Sequence, residues 1–244
     1  VSDHRLREIR GNQIAFIFQE PMSSLNPVLT IGTQVAEPIW LHHKKSWSEA
    51  FEQAGELLQR VAIPDAVKRL EDYPHQFSGG MRQRVMIAMA LACQPKLIIA
   101  DEPTTALDVT VQAQILSLLK NLTKEANSSL ILITHDLGVV ARYADNVAVM
   151  YGGRVVETAS ARELYKNPQH PYTEGLMASI PKLDGDPGSR LYTIEGQPPD
   201  LSNLPSGCSF HPRCPYAQDK CTMTKPTLSE VAPNHLRACF GYER

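Results

Sequence analysis

No apolar run in the 244-residue chain reaches the roughly 20 residues that a membrane-spanning helix needs. No signal-peptide pattern stands at the start, where the charged stretch VSDHRLREIRG begins on valine, and we expect the interior of a longer gene product. The net charge of -2 implies no broad surface for a polyanion. These absences favour a globular protein, since 43% hydrophobic and 20% charged residues are ordinary values for one.

The chain also lacks the motif G-x-x-x-x-G-K-[ST], whose backbone N–H groups and lysine hold nucleotide phosphates. The segment FSGGMRQRV nevertheless has the features of an anion site. Ser78 can cap a helix, and Gly79 and Gly80 let the backbone approach a ligand because they have no Cβ. We expect the helix over 81–93 to direct its positive N-terminus at that ligand. The alternative is an ordinary tight turn before a helix.

Short apolar runs that alternate with longer amphipathic runs predict the secondary structure. We expect buried strands at 14–18 (IAFIF), 96–101 (KLIIAD) and 129–135 (SLILITH). We expect helices over 31–70 with breaks at Pro38 and Pro64, over 81–93, over 109–126 and over 137–143. The segment VAVMYGGRVVET predicts a hairpin with a Gly-Gly turn. This order of elements favours an α/β fold with a parallel sheet.

The chain is expected to have two domains. A helical block interrupts the α/β rhythm, so we expect a helical subdomain at about 31–80 within a core over 1–160. After Pro168 the composition changes: Pro and Gly become dense through 181–207, and the helical and strand periods fade. We therefore expect a C-terminal extension over 161–244, with too little periodic apolar pattern to fold firmly by itself.

The strand KLIIAD delivers two adjacent carboxylates, Asp101 and Glu102, to its C-terminal end. Ligands of open α/β sheets bind at such ends, and Asp101 would hold Mg²⁺, directly or through water. Glu102 would polarise a water for attack on phosphorus. His135 ends the next strand and should reach the same edge, where it can hydrogen-bond a γ-phosphate. The alternatives are solvated carboxylates at an acidic strand end and a structural histidine.

Five segments together resemble the motifs of the ABC-type ATPases. FSGGMRQRV is similar to their signature motif, LIIADEP to their Walker B strand with its catalytic glutamate, and TALD to their D-loop. ITHD resembles their switch-histidine segment and FIFQEP their Q-loop, and all five occur in the family's order across 14–136. The tail, with NPQHPYTEGLMASIP and EGQPPDLSNLPSGCSFHPRCP, and the segment LNPVLTIG resemble the dipeptide/oligopeptide (and nickel) importer subgroup, so the resemblance covers essentially the whole chain.

The resemblance implies the ABC-type P-loop NTPase nucleotide-binding fold, of which this chain would be the C-terminal portion without the Walker A region. It implies Glu102 and His135 as catalytic residues and Asp101 and Gln19 as Mg²⁺ ligands. The implied nucleotide-binding residues are Gln19, Ser78, Gly79, Gly80 and Asp108. In the family, ATP is held between two subunits, so the signature would meet ATP held by a partner. Without a phosphate loop, the chain alone should not hydrolyse ATP above background.

The resemblance also implies a function and partners. The complete protein would hydrolyse ATP to drive import of di- or oligopeptides, or a related solute, through two transmembrane permease subunits. An identical or paralogous ATPase would complete a dimer, a solute-binding protein would act indirectly, and nucleic acid would take no part. The helical subdomain, with Trp40 and Trp47, would dock the permease at the cytoplasmic face of the inner membrane. The alternatives are a soluble ABC ATPase outside transport and a non-catalytic regulatory or binding subunit.

Cysteine is unevenly distributed. Cys93 stands alone in an apolar helix and is expected to be a core residue. The other four are Cys208, Cys214, Cys221 and Cys239, spaced C-x5-C-x6-C-x17-C. Without a secretion signal a metal site is favoured over disulfides, and four thiolates without a close C-x-x-C pair suit an iron–sulfur cluster at least as well as zinc. The subgroup resemblance implies a [4Fe–4S] cluster; zinc and free or oxidised thiols are the alternatives, and His211 is a possible substitute ligand.

Overall fold

A computed structural model describes residues 1–105, 107–181 and 192–242, so the Pro- and Gly-rich stretch at 181–207 lies partly outside the described residues. The chain divides into two compact units, Val1–His135 and Asp136–Arg244. The predicted hairpin belongs to the second unit, where it packs with the cysteine-containing segment. The functional domain boundary near residue 160 stays a prediction. Within the described residues, no helix is long and apolar enough to cross a membrane.

The first unit is built around a parallel sheet, which confirms the predicted α/β class. Its strands are β1 (Ile14–Ile17), β2 (Leu97–Asp101) and β3 (Ser129–Ile133), in the order β1-β2-β3. Its helices are α1 (Asp3–Ile9), α2 (Pro21–Ser24), α3 (Ile31–His43), α4 (Trp47–Arg60), α5 (Gly79–Leu91) and α6 (Val109–Glu125), with 3₁₀ turns at Lys68–Glu71 and Pro74–Gln76. The register pairs Asp101 with Ile133, so β2 and β3 end level at one edge.

The parallel sheet is buried on one face. Ile98 and Ala100 of β2 are fully enclosed in the core that the sheet shares with α5 and α6. Phe16, Ile131 and Ile133 on the other face are 41–49% exposed. The expectation of buried strands holds for one face only, because successive side chains alternate between faces and only one set enters the core; in β2, expected to be buried on both faces, the residues of the second face are partly exposed.

The helix break predicted at Pro38 is wrong. Helix α3 continues through this proline and ends at Lys44, which has a left-handed φ of 53°. Proline removes one backbone donor from the helix. The helix persists because its apolar face, with Ile31, Val35 and Ile39, is completely buried, and tertiary packing outweighs local propensity.

The second unit contains an antiparallel sheet. Its strands are β4 (Asn146–Tyr151), β5 (Arg154–Ser160), β6 (Ser229–Ala232) and β7 (His235–Arg237), in the order β4-β5-β7-β6. Its helices are α7 (Leu137–Tyr143), α8 (Ala161–Lys166), α9 (Pro171–Ala178) and α10 (Asp219–Met223), with a 3₁₀ turn at His211–Arg213. Strands β4 and β5 form the predicted hairpin, and its turn residues Gly152 and Gly153 take φ values of 55° and 74°, which favour glycine.

The C-terminal segment has more regular structure than predicted. Strand β7 adds to β5 and pairs Arg237 with Glu157, and β6 continues the sheet. Phe210 is buried in a core that includes Tyr151 and Val156 of the hairpin. The prediction failed because β6 and β7 are only 4 and 3 residues long, too short to show a period, and they extend a sheet that already exists.

Candidate functional site

The carboxyl edge of the parallel sheet brings together residues from β2 and β3. Strand β2 ends at Asp101, and the next residue, Glu102, has a left-handed φ of 44°. The Glu102 N–H donates to the Ile133 carbonyl at 2.9 Å, which ties this turn to β3. His135 follows β3 by two residues and reaches the same edge because the two parallel strands end level.

Three side chains contact the Glu102 carboxylate through hydrogen bonds. The Gln19 amide donates to Oε2 at 2.8 Å, and the Thr105 hydroxyl donates to the same oxygen at 2.9 Å. Nδ1 of His135 lies 2.7 Å from Oε1. The Glu102 side chain is 22% exposed and that of His135 is 77% exposed. The carboxylate is therefore fixed in orientation and still within reach of solvent.

This environment keeps Glu102 ionised. The hydrogen bond with His135 has the largest effect in lowering the pKa of the Glu102 carboxyl, and the bonds from Thr105 and Gln19 lower it further. Partial burial acts in the opposite direction and is outweighed. An ionised carboxylate can accept a proton from a water molecule, which is what a general base requires.

The two predicted Mg²⁺ ligands lie next to this network. Asp101 is the last residue of β2 and is half-buried. Gln19 follows β1 by two residues, and its amide nitrogen donates to Glu102. The amide oxygen is the atom of Gln19 that could bind a hard cation. The role of both residues as Mg²⁺ ligands stays a prediction.

The SGG segment forms the start of α5. Ser78 is the N-cap and accepts a backbone N–H of the first turn at 3.3 Å, as predicted, although the helix begins at Gly79 rather than at residue 81. A Cβ on Gly80 would lie 3.0 Å from Val111 of α6, so Gly80 allows the two helices to pack closely. A Cβ on Gly79 would meet Leu107 at an ordinary 3.7 Å, so packing within the chain does not require glycine there, and the role of Gly79 in ligand approach stays a prediction.

Asp108 has a local structural role. It is the N-cap of α6, and its carboxylate accepts the Val111 N–H at 2.9 Å. Its predicted nucleotide-binding role is separate from this cap and stays a prediction. Ala106, in the same predicted D-loop, lies outside the described residues.

The four clustered cysteines line one cavity in the second unit. The residues around this cavity include Cys208, Cys214, Cys221 and Cys239, the imidazoles of His170 and His211, and the rings of Phe210, Tyr216, Phe240 and Tyr242. The Cys208 N–H donates to the Cys221 carbonyl at 2.8 Å, which joins two of the cysteine segments directly. The fold therefore gathers thiols that are widely spaced along the sequence. We call this space the cysteine cavity.

Burial favours the protonated form of two thiols of the cysteine cavity, Cys208 and Cys214. Burial raises the pKa of the Cys208 thiol and raises that of Cys214 to about 11, and repulsion among the cysteines adds to both shifts. Within the described residues, no three His, Cys, Asp or Glu side chains are grouped to hold one metal ion.

Cys93 has a different environment. It is buried, burial raises the pKa of its thiol to about 11, and the thiol donates to the Pro38 carbonyl at 3.3 Å. The prediction that Cys93 is a core residue is confirmed.

Two residues of these sites, Thr105 and Glu157, were not predicted from the sequence. Thr105 contacts Glu102, and the only sequence signal is its position three residues further on. Glu157 is completely buried and accepts two backbone N–H groups at the start of α9, at 2.6 and 2.9 Å, and Nε2 of His235 at 2.7 Å. In RVVETAS, the one sequence signal is that the carboxylate of Glu157 lies close in sequence to apolar Val155, Val156 and Ala159.

Two family descriptions match separate parts of the chain. "ABC transporter" matches residues 2–105, and "Oligopeptide/dipeptide transporter, C-terminal region" matches residues 156–221. The first range includes the Gln19–Glu102 contact and the SGG segment. The second includes Glu157, His170 and three of the clustered cysteines.

Curated relatives are similar to nearly the whole chain. The oligopeptide transport ATP-binding protein OppD of Escherichia coli (strain K12) is 54% identical over 238 residues, which cover 98% of this chain and 70% of that protein. AppD of Bacillus subtilis (strain 168), of the same description, is 55% identical over 236 residues, 97% of this chain and 72% of that protein. The dimeric ATP-binding cassette MJ0796 bound to ADP and Pi matches 66% of this chain and 68% of its own, with a TM-score of 0.58 and 33% identity.

Proposed function

The chain belongs to the ATP-binding proteins of the oligopeptide ABC transporters, and from this membership we propose that it hydrolyses ATP to power the import of di- or oligopeptides. The observation that carries the proposal is the Glu102 carboxylate, ionised and bound by Gln19 and His135 at the edge of the parallel sheet. A non-catalytic subunit would have no need for such an arrangement. ATP hydrolysis by this family makes ATP and Mg²⁺ the cofactors of the proposal.

Glu102 is proposed to take a proton from the water that attacks the γ-phosphorus of ATP. Three protein groups contact its carboxylate oxygens, and release of one contact would give the attacking water more room to bind there. His135 is the best candidate, because its side chain is 77% exposed and can hydrogen-bond the γ-phosphate instead. Asp101 and Gln19 would hold Mg²⁺, which when bound neutralises charge on the phosphates.

The start of α5 is proposed to bind the γ-phosphate of ATP held by a second subunit. Helix α5 is 13 residues long, and its first-turn N–H groups and the Ser78 hydroxyl form a site for negative charge. The lack of a Cβ on Gly79 is compatible with a closely approaching phosphate. A dimer with an identical or paralogous subunit follows from this arrangement.

The helical subdomain is proposed to dock a membrane permease. Trp40 and Trp47 are 49% and 43% exposed, their rings meet edge to face at 6.0 Å, and Leu41 beside them is also exposed. Exposed aromatic clusters of this kind favour protein interfaces. The segment that begins at Gln19 leads from β1 to α3, so it can couple nucleotide binding to this surface. We accordingly propose a peripheral position on the cytoplasmic face of the inner membrane, with a solute-binding protein acting through the permease.

The cysteine cavity is proposed to hold a [4Fe–4S] cluster. Cys208, Cys214, Cys221 and Cys239 would each supply one thiolate, and binding would displace their protons. The cluster, when bound, would cross-link the segments that carry them. A zinc ion is the alternative. The role is structural, because ATP-driven import requires no electron transfer.

The catalytic proposal can be tested in a hybrid, in which this chain replaces the matching segment of the E. coli relative. We expect the hybrid to hydrolyse ATP and Glu102→Gln to lower turnover by roughly 10²–10⁴-fold, the usual contribution of general-base catalysis. ATP binding should persist because the amide keeps the shape of the carboxylate. Glu125→Gln, which changes an exposed glutamate paired with Arg60, is the matched control. Near-normal turnover by the Glu102→Gln hybrid would assign the base to another residue.

A further inference from the structure

The cysteine cavity contains a histidine that is positioned to donate a hydrogen bond. His170 is 1% exposed and lines the cavity together with the four cysteines. It is the N-cap of α9, and its Nδ1 accepts the Tyr172 N–H at 3.1 Å. A ring nitrogen that accepts a hydrogen bond carries no proton, so the proton of the neutral ring is on Nε2.

The Nε2–H group of His170 has no protein partner among the described residues, whose hydrogen bonds to His170 involve only its Nδ1 and its backbone groups. Burial lowers the pKa of the His170 imidazole to about 4, so the ring is neutral at physiological pH and presents a single donor. The cavity that the ring lines contains sulfur atoms as acceptors.

The orientation of His170 is fixed by a buried carboxylate. Glu157 of β5 accepts the His170 N–H at 2.9 Å and the N–H of the preceding residue, Gln169, at 2.6 Å. Its Oε1 also binds Nε2 of His235 in β7 at 2.7 Å, and both side chains are essentially inaccessible to solvent. Arg237 donates to the Gln169 carbonyl at 3.4 Å. The start of α9 is thus bound to two strands, which leaves the His170 ring little freedom to turn away.

We propose that His170 donates its Nε2–H to a sulfur atom of the group that the four cysteines bind. The inference rests on the proposed iron–sulfur cluster. Hydrogen bonds to the sulfurs of such clusters help to set their reduction potential. A donor stabilises the more negative, reduced state, so His170 raises the reduction potential. It acts as a positioning and tuning residue and not as a ligand.

The second imidazole of the cavity, His211, provides a matched control. Its Nδ1 lies 2.9 Å from the Cys208 carbonyl, which can only accept a hydrogen bond, so Nδ1 carries the proton. In this tautomer of His211, Nε2 is an acceptor. The two histidines therefore differ in the nitrogen that carries the proton: it is Nε2 in His170 and Nδ1 in His211.

The proposal is tested on the 244-residue chain purified without oxygen, by assay of iron, acid-labile sulfide and zinc, followed by a reductive titration monitored by electron paramagnetic resonance. We expect about four irons and four sulfides per chain. His170→Phe removes the donor and should lower the reduction potential. His170→Gln keeps a side-chain N–H and should lie nearer to the wild type, and His211→Phe should shift the potential less than His170→Phe does.

A spectroscopic measurement makes the test independent of how well the His170 variants fold. Protein with ¹⁵N-labelled histidine should show a nitrogen coupling to the reduced cluster, and the coupling should persist in His211→Phe. A cluster whose potential is unchanged in His170→Phe, with no histidine coupling in the wild type, would overturn the role of His170 and leave the cluster proposal intact. Wild-type protein without iron and sulfide, or with stoichiometric zinc, would overturn both.

Discussion

At the scale of single residues, Glu102 combines an unusual backbone conformation with a fully engaged side chain. Its left-handed φ of 44° is sparsely populated by residues that carry a Cβ. The turn is held by the Glu102 N–H bond to Ile133 and by the Thr105 N–H bond to the Glu102 carbonyl, at 2.9 and 3.2 Å. Such conformations persist only where their surroundings fix them, and they cluster at functional sites. The backbone conformation and the hydrogen-bond network therefore both indicate that Glu102 is a functional residue.

Thr105 should contribute to turnover by orienting the Glu102 carboxylate. In the hybrid described above, Thr105→Val removes the hydroxyl at nearly constant volume and should lower turnover by about tenfold, because a misplaced base reacts more slowly. Thr105→Ser keeps the hydroxyl and should retain most activity. The KM for ATP should change little, because Thr105 contacts the base and not the nucleotide. Equal turnover of the valine and serine variants would remove Thr105 from the site.

Within the Glu102 site, the residues that directly follow strands could be predicted from the sequence. Glu102 and His135 follow apolar runs, and parallel strands bring their carboxyl ends to one edge, so the contact between them was predictable. Thr105 was missed because a hydroxyl in a turn has no period that marks it. His170 was missed because its role depends on a cavity formed by residues distant in the sequence.

At the scale of elements, the existence and type of the long helices and parallel strands could be predicted, but their burial could not. Strand β3 has the same apolar composition as a doubly buried strand, yet Ile131 and Ile133 are nearly half exposed. An apolar composition shows that a strand can be buried on both faces. Its actual exposure depends on which elements pack against it. The same reasoning applies to α3, where buried packing overrides the local effect of Pro38.

The start of α5 should serve the ATP site of the partner subunit. A mixed dimer tests this, with Ser78→Arg in one hybrid subunit and Glu102→Gln in the other. If the signature acts on the partner's ATP, both defects fall in one site, and the second site should still hydrolyse ATP. If it acts within its own subunit, each site carries one defect, and turnover should vanish. Dimers of each variant with an unmodified subunit control for assembly.

At the scale of the whole molecule, each of the two units contains its own group of candidate functional residues. The first unit has the Glu102 network and the SGG segment, and the second has the cysteine cavity and the Glu157 cluster. The relatives match both units together, at 54–55% identity over 97–98% of the chain. The ATPase residues and the cysteine-containing segment therefore occur together in one type of protein, and we expect both to be needed for transport.

The most direct test of the central claim is the uptake of a labelled oligopeptide by E. coli cells in which the hybrid replaces the cell's own oligopeptide transport ATP-binding protein. We predict that the hybrid restores uptake and that Glu102→Gln, at equal abundance, abolishes it. Uptake that is equal with and without the Glu102 carboxylate, or absent although the hybrid hydrolyses ATP, would contradict the assignment of this chain as the ATPase that powers peptide import.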